Sequence, residues 1–332
     1  MKLSDNISEI YVMGGRQKAD ADAKEEWYRY REGLIVRIDA SGKSEVCFQY
    51  ESPPEARPEH EFSCLFKAGT VTPSEMLVCT QTEVLQLDLQ FAVQRYVSLP
   101  QFNDVHHVVR RKSGSLVAAN TGLDSVIEFT DSGEVLNEWS ALHEDPWKRF
   151  SKDTDYRKVP TTKPHQSHPN YVFELNDELW VTRFEQRDAV SLSNPDARIN
   201  IAIERPHDGI VHEDRVYFTT VDGHVVVAKA SPDRSPEIFN LNEIFATKLP
   251  LGWCRGLAVL DRDQVIVGFS RLRATKFREN IRWAKYQLGL SRPKLLPTRI
   301  ARIDLKQRRV LWTVELEDAG LAAVFSIHPI TR

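Results

Sequence analysis

HHVVRRKSGSLVAANTGLDSVIEFTDSGEVLNEW, residues 106–139, alternates apolar runs with short polar turns. Its runs HHVV, SLVAA, SVIEF and VLNEW are rich in β-branched and aromatic residues, and KSG and DSG punctuate them as turn formers. The stretch predicts one small antiparallel sheet. The same rhythm returns from His168 in HPNYVFELNDELWVTRFEQRDAVSL and from His207 in HDGIVHEDRVYFTTVDGHVVVAK. It returns again from Cys254 in CRGLAVLDRDQVIVGFS and resumes at Arg299 in RIARIDLKQRRVLWTVEL. Upstream, residues 61–99 follow the same plan, and SEIYVMGG with GLIVRIDASGKSEVCFQY supplies strands near the N-terminus.

A sheet that cannot bury both faces alone stacks on copies of itself. Radial stacking of four-stranded units gives a β-propeller. Six units are counted if LAAVFSIHPI, residues 321–330, supplies the innermost strand of the blade whose other strands come from the N-terminus. The expectation is an all-β chain, a single six-bladed β-propeller domain over residues 1–332, closed by a C-terminal inner strand. A stack of β-sandwiches is the rival. Two stretches break the rhythm. Residues 140–167, with Pro146, Pro160 and Pro164, predict a lid-like loop. Residues 271–299 place Phe277, Ile281, Ala284 and Leu288 at helix spacing and predict a basic helical insertion ended by Pro293.

With 41% hydrophobic residues the chain can build a sizeable core, and its net charge of −3 implies no general attraction to nucleic acid. No run reaches the roughly 18 apolar residues of a membrane span. MKLSDNISEI lacks an apolar leader, and the four cysteines form no CxxC pair. A reduced, cytoplasmic protein is expected. The insertion carries nine Arg and Lys residues, from Arg271 to Arg299, against the single acid Glu279. It predicts a solvated rim helix, a guide for anions or an oligomer contact.

Aligning the units on SLVAAN, ELWVTR, RVYFTT and QVIVGF puts His107, His168, His207 and Arg255 at similar places, about ten residues upstream. His328 lies on the proposed closing strand. Strand alternation puts one of His106 and His107 on the channel face, and His107 is chosen. Imidazoles converging on an axis suit a divalent transition metal, so His107, His168, His207 and His328 are candidate ligands. Without a metal, His107, His168 and His207 are candidate bases or nucleophiles. Arg255 would hold an anionic group, with Arg183, Arg271, Asn120, Asp124 and Asp208 as further substrate or tautomer-fixing contacts. His60, His143, His212 and His224 fit the register less well and are expected on the surface or the lid. Cys254 beside Arg255 is a candidate activated thiol, with a buried inert thiol as the plainer expectation.

Across roughly residues 100–330 the layout resembles the six-bladed propellers of the NHL and gluconolactonase type, through VAANTGLDSVIEF (117–129) and the following G-x-V step. A fainter likeness is to cofactor-independent arylsulfotransferases, carried by HHVVRRKSGSLVAANTGLDSVIEF, HPNYVFELNDELWVTRF and HDG. That second likeness implies a channel His as sulfuryl carrier, and makes His107, His168, His207 and Arg255 its candidates. Gluconolactonase-like metal sites use Glu, Asn and Asp where this chain offers His. Three functions follow as expectations: a metal-dependent enzyme for a small polar or anionic substrate, a metal-free His-nucleophile transferase, and a non-catalytic binding scaffold.

Overall fold

The computed structural model describes residues 3, 6–21, 29–201, 203–229, 235–272 and 295–331. Most of the basic insertion, residues 273–294, lies outside them, and with it the expected helix and oligomer contact. The strands form six four-stranded antiparallel sheets. From the innermost strand outward, blade 1 pairs Ala323–Thr331, Ile7–Gln17, Tyr30–Asp39 and Ser44–Tyr50. Blade 2 holds Thr70–Val71, Met76–Cys79, Val84–Leu87 and Val93–Val97, and blade 3 holds Val105–Arg110, Leu116–Asn120, Ser125–Phe129 and Val135–Ser140. Blade 4 runs Pro169–Leu175, Glu178–Arg183, Asp188–Ser191, Arg198–Asn200. Blade 5 runs Pro206–His212, Arg215–Thr220, His224–Lys229, Glu237–Asn240. Blade 6 runs Trp253–Val259, Gln264–Ser270, Arg299–Asp304, Arg309–Glu315. This is the six-bladed propeller, and the C-terminal strand closes it by pairing Tyr11 with His328 and Val12 with Ile327.

Each junction between neighbouring blades has its own apolar core. Val117, Val126 and Ala141 of blade 3 meet Val172, Val181 and Val190 of blade 4, for example. Both faces of a sheet are therefore buried. That is why second strands read as continuous hydrophobic runs, such as LVAAN, buried throughout. Burial fades outward until the outer strand Val93–Val97 is mostly exposed.

Five of the six inner strands share one irregularity. Their pairing slips by one residue between Val105 and His107, Pro169 and Tyr171, His207 and Ile210, and Cys254 and Leu257. The closing strand slips between Val324 and Ser326. A bulge leaves one residue out of the ladder and re-aims it. The extra residues are His106, Asn170, one of Asp208 and Gly209, one of Arg255 and Gly256, and Phe325. They also stitch blade to blade. Ala68 N donates to His106 O (2.9 Å), Asn170 Nδ2 to Pro206 O (2.9 Å), Thr182 Oγ1 to Asp208 O (2.7 Å) and Arg255 Nε to Val324 O (3.1 Å).

Candidate active site at the channel mouth

The bulges open on a cavity of about 730 Å³ at one end of the ring. Among the described residues, four imidazoles line it: His106, His165, His168 and His207. Lys67, Asp104 and Arg255 share the wall with Phe184, Trp253 and Phe325. The contacts run around the mouth. His106 meets the ring edge of His168 (centroids 5.0 Å), His168 meets Phe184 (4.9 Å), Phe184 meets His207 (5.4 Å) and His207 meets Trp253 (6.3 Å). Across the mouth, Arg255 lies over Phe325 at 3.5 Å and Lys67 Nζ at 4.9 Å.

The stretch HQSHPN, 165–170, is shaped by Asp124, a left-handed residue (φ 51°) buried at the end of a 3₁₀ turn. Its carboxylate accepts from the backbone N–H groups of Gln166 (2.8 Å), Ser167 (2.9 Å) and His168 (2.7 Å). Arg149 adds an ion pair at 2.7 Å. The long connection between blades 3 and 4 is tied down further by Asn103, whose Nδ2 donates to Tyr156 O and Val159 O, both at 2.8 Å. It is this segment that delivers Lys163 and His165 to the cavity wall. Asp124→Ala orphans three amides and a guanidinium. It should cost about 3–5 kcal/mol of stability, read by denaturant unfolding, and abolish any small-anion binding at the mouth.

Hydrogen bonding assigns the tautomers. Thr162 Oγ1 donates to Gly122 O (2.5 Å) and so accepts from His165 Nε2 (3.3 Å). His165 Nδ1 then accepts from His168 Nδ1–H at 2.8 Å, which leaves His168 Nε2 as a bare lone pair. His106 Nδ1 donates to Asp104 O (2.7 Å), so its Nε2 accepts from Lys67 Nζ (3.3 Å). Lys67 also pairs with Asp104 Oδ1 at 3.0 Å. Burial, aided by Lys67, lowers His106 to about 3. Burial also carries His168 well below its ordinary value, with His106 and His165 adding and Asp104 opposing. Burial alone would raise Asp104, but Lys67 and the neighbouring imidazoles hold its carboxyl well below the usual range. His106, His165 and His168 are thus neutral, and Asp104 is the anion among them.

Of the residues expected in the site, His168, His207 and Arg255 line the cavity. His107 does not. It is buried, stacked on Tyr171 (centroids 3.5 Å), and its Nδ1 accepts from Val172 N. The reason is the bulge, which gives the cavity to His106. His328 lies further along the closing strand, opposite Tyr11, and near enough to His107 to depress its proton affinity. Arg183 makes a buried fork onto Asp188, its cross-strand partner, and donates to Ala141 O. Asn120 bonds Asn103 N, Gln101 O and Ser125. Asp208 accepts from Thr219 and Gly256 N, and Arg271 forks onto Glu317 at the surface. These four hold the frame and do not line the cavity. Burial pushes the Cys254 thiol well up, so it is an inert core thiol.

Among the described residues no three or more His, Cys, Asp or Glu side chains are arranged to hold a metal ion. The donors as they stand do not fit one: His165 and His168 face each other, Lys67 occupies His106 Nε2, and His107 and His328 lie away from the cavity wall. Lys67, Asp104, His106, His165, Phe184, Trp253 and Phe325 were not expected. A polar residue two before glycine, as in Lys67-Ala-Gly69 and His207-Asp-Gly209, is the sequence signal that marks two of these inner-strand starts.

No family model matches the chain, and no curated protein matches it. Solved structures do. A protein of unknown function from Bacteroides caccae aligns over 98% of this chain and 99% of its own, with TM-score 0.61 and 13% identity. The nidogen/laminin complex aligns over 96% and 97%, with TM-score 0.56 and 6% identity. A streptogramin B lyase aligns over 97% and 98%, with TM-score 0.50 and 10% identity. The likeness is one of fold. At these identities the propeller is shared and the chemistry is not carried across. Among the described residues, no helix is long and apolar enough to cross a membrane.

Proposed function

We propose that the chain is an enzyme acting by acid–base chemistry on a small polar anion held at the channel mouth. The observation that carries this reading is the gathering of four imidazoles with Lys67 and Arg255 around one cavity of about 730 Å³. Arg255 supplies a guanidinium whose plane rests on Phe325, suited to a carboxylate, phosphate or sulfate. His168 Nε2 is the base. Its other nitrogen is held by His165, so the ring cannot turn away, and Asp104 stabilises the proton it takes up. Phe184 and Trp253 flank the site with apolar surface.

Calorimetric titration with acetate, phosphate and sulfate tests the reading. Binding of at least one anion to the wild type, weakened about 10–100-fold in Arg255→Gln, is the expected result. Identical traces for both proteins overturn it and leave a binding scaffold of another kind. The same His168 lone pair would serve a nucleophilic variant of this function, in which an activated aryl sulfate leaves an adduct on His168. A divalent transition metal is the remaining rival. It requires the His165–His168 contact to open, and the metal content of protein purified without an affinity tag decides it.

A further inference from the structure

One lysine at the mouth is set apart by its burial. Lys67 is a lysine whose side chain is only 8% exposed, yet it lines a polar cavity. Buried lysines are rare unless paired, and burial readily shifts their proton affinity. Lys163, on the same wall, is exposed. Three neighbours of Lys67 bear on its reactivity. Asp104 Oδ1 is at 3.0 Å, His106 Nε2 is at 3.3 Å with its lone pair turned to Nζ, and Phe325 provides an apolar flank at 4.9 Å. Arg255 stands over that same Phe325 ring.

We propose that Lys67 is an imine-forming nucleophile for a small 2-oxo acid, whose carboxylate is held by Arg255. This rests on the anion-binding reading and names its substrate class. The Nζ lone pair attacks the carbonyl carbon, a C–N bond forms, and the carbonyl π pair moves to oxygen. His106 Nε2 carries one nitrogen proton to that oxygen, giving the neutral carbinolamine, and then carries the second nitrogen proton to its hydroxyl. That hydroxyl leaves as water and the C=N bond forms. The sum is amine plus ketone giving imine plus water, with no change of oxidation state and no further reactant. Burial, helped by Arg255 and Lys163 and opposed by Asp104, lowers the proton affinity of Lys67 and so favours the neutral amine that the attack needs. Asp104 is then placed to balance the charge of the protonated imine, and His106 to move protons on the adjacent carbon.

The experiment is reductive trapping. Intact protein is incubated with pyruvate or glyoxylate and sodium cyanoborohydride, then digested and mapped by mass spectrometry. The expected result is the mass gain of the reduced imine on Lys67, at least tenfold above any other lysine, and absent with lactate or glycolate. Lys67→Arg, which keeps a cation beside Asp104, should lose the adduct. Adducts spread over exposed lysines such as Lys112, or none at Lys67, overturn the proposal. If pyruvate binds by calorimetry in an Arg255-dependent way without an adduct, the imine falls and the anion site stands. If it neither binds nor reacts, both fall.

Discussion

Acidification from pH 7.5 to pH 5 should destabilise the protein by about 4 kcal/mol, before any exposed carboxylate titrates. Burial holds His106 and His107 at about 3 and His328 at about 4, all below the ordinary imidazole value near 6.5. His165 and His168 are lowered as well, burial again being the first cause. Between the folded and unfolded values the unfolded chain binds more protons than the folded one. The stabilising contribution is therefore complete above pH 6.5 and is lost as the pH falls toward 3. At pH 5 each fully buried imidazole accounts for about 2 kcal/mol, and the half-buried His328 for less. Asp208 works the other way. Burial raises it to about 6, so the folded state gains a proton as the pH drops and returns about 1–2 kcal/mol. The net loss corresponds to a melting temperature roughly 5 °C lower for a chain of this size. Thermal scans from pH 7.5 to 4.5 read it. His107→Gln keeps an acceptor for Val172 N–H and should flatten the profile by its share. A profile flat down to pH 5 would mean that these rings are hydrated.

Gly14→Ala should lower stability by at least about 3 kcal/mol by opening the ring at its closure. A Cβ at Gly14 would stand 1.8 Å from Ala323 O and 2.9 Å from Ala323 C, with Leu321 Cδ1 at 3.3 Å behind it. Those are backbone atoms of the closing strand, at the point where its register with Ile7–Gln17 slips. They cannot turn aside as a side chain would. Gly114→Ala is the matched control. Gly114 sits in a turn with φ +97° and nothing within 4 Å of its Cβ position, so only backbone strain of about 1 kcal/mol is expected there. Denaturant midpoints and limited proteolysis of the C-terminal strand compare the two. Equal losses in both variants would show that closure contributes little.

The propeller was legible because its evidence is collective. Six stretches with one rhythm, and a final strand lacking partners of its own, allow few other arrangements. The site was legible only at the level of position along a blade. His168, His207 and Arg255 fall on the cavity wall because the units align there. His107 was chosen over His106 by simple alternation, and a bulge breaks alternation at that residue. Arg183 and Asp188 face each other across a hairpin, so their pairing satisfies them locally and removes Arg183 from the cavity. Lys67 escaped notice because the inner strand of its blade is only Thr70–Val71, too short to show a pattern. Asp124 was expected only as a partner that fixes a His tautomer. Its role depends on three amides more than forty residues downstream, and side-chain chemistry alone does not reveal that.

The partner of Ile7–Gln17 on its inner side is made more than 300 residues later. At about 5–20 residues per second, a nascent chain carries that strand with one unpaired edge for roughly 15–60 s. An open edge bearing Ile10 and Val12 is a template for other chains on the same polysome. Yield in the cell is therefore governed by how well that edge is shielded during synthesis, and slower translation or crowded ribosomes should raise the aggregated fraction without any change in the finished ring.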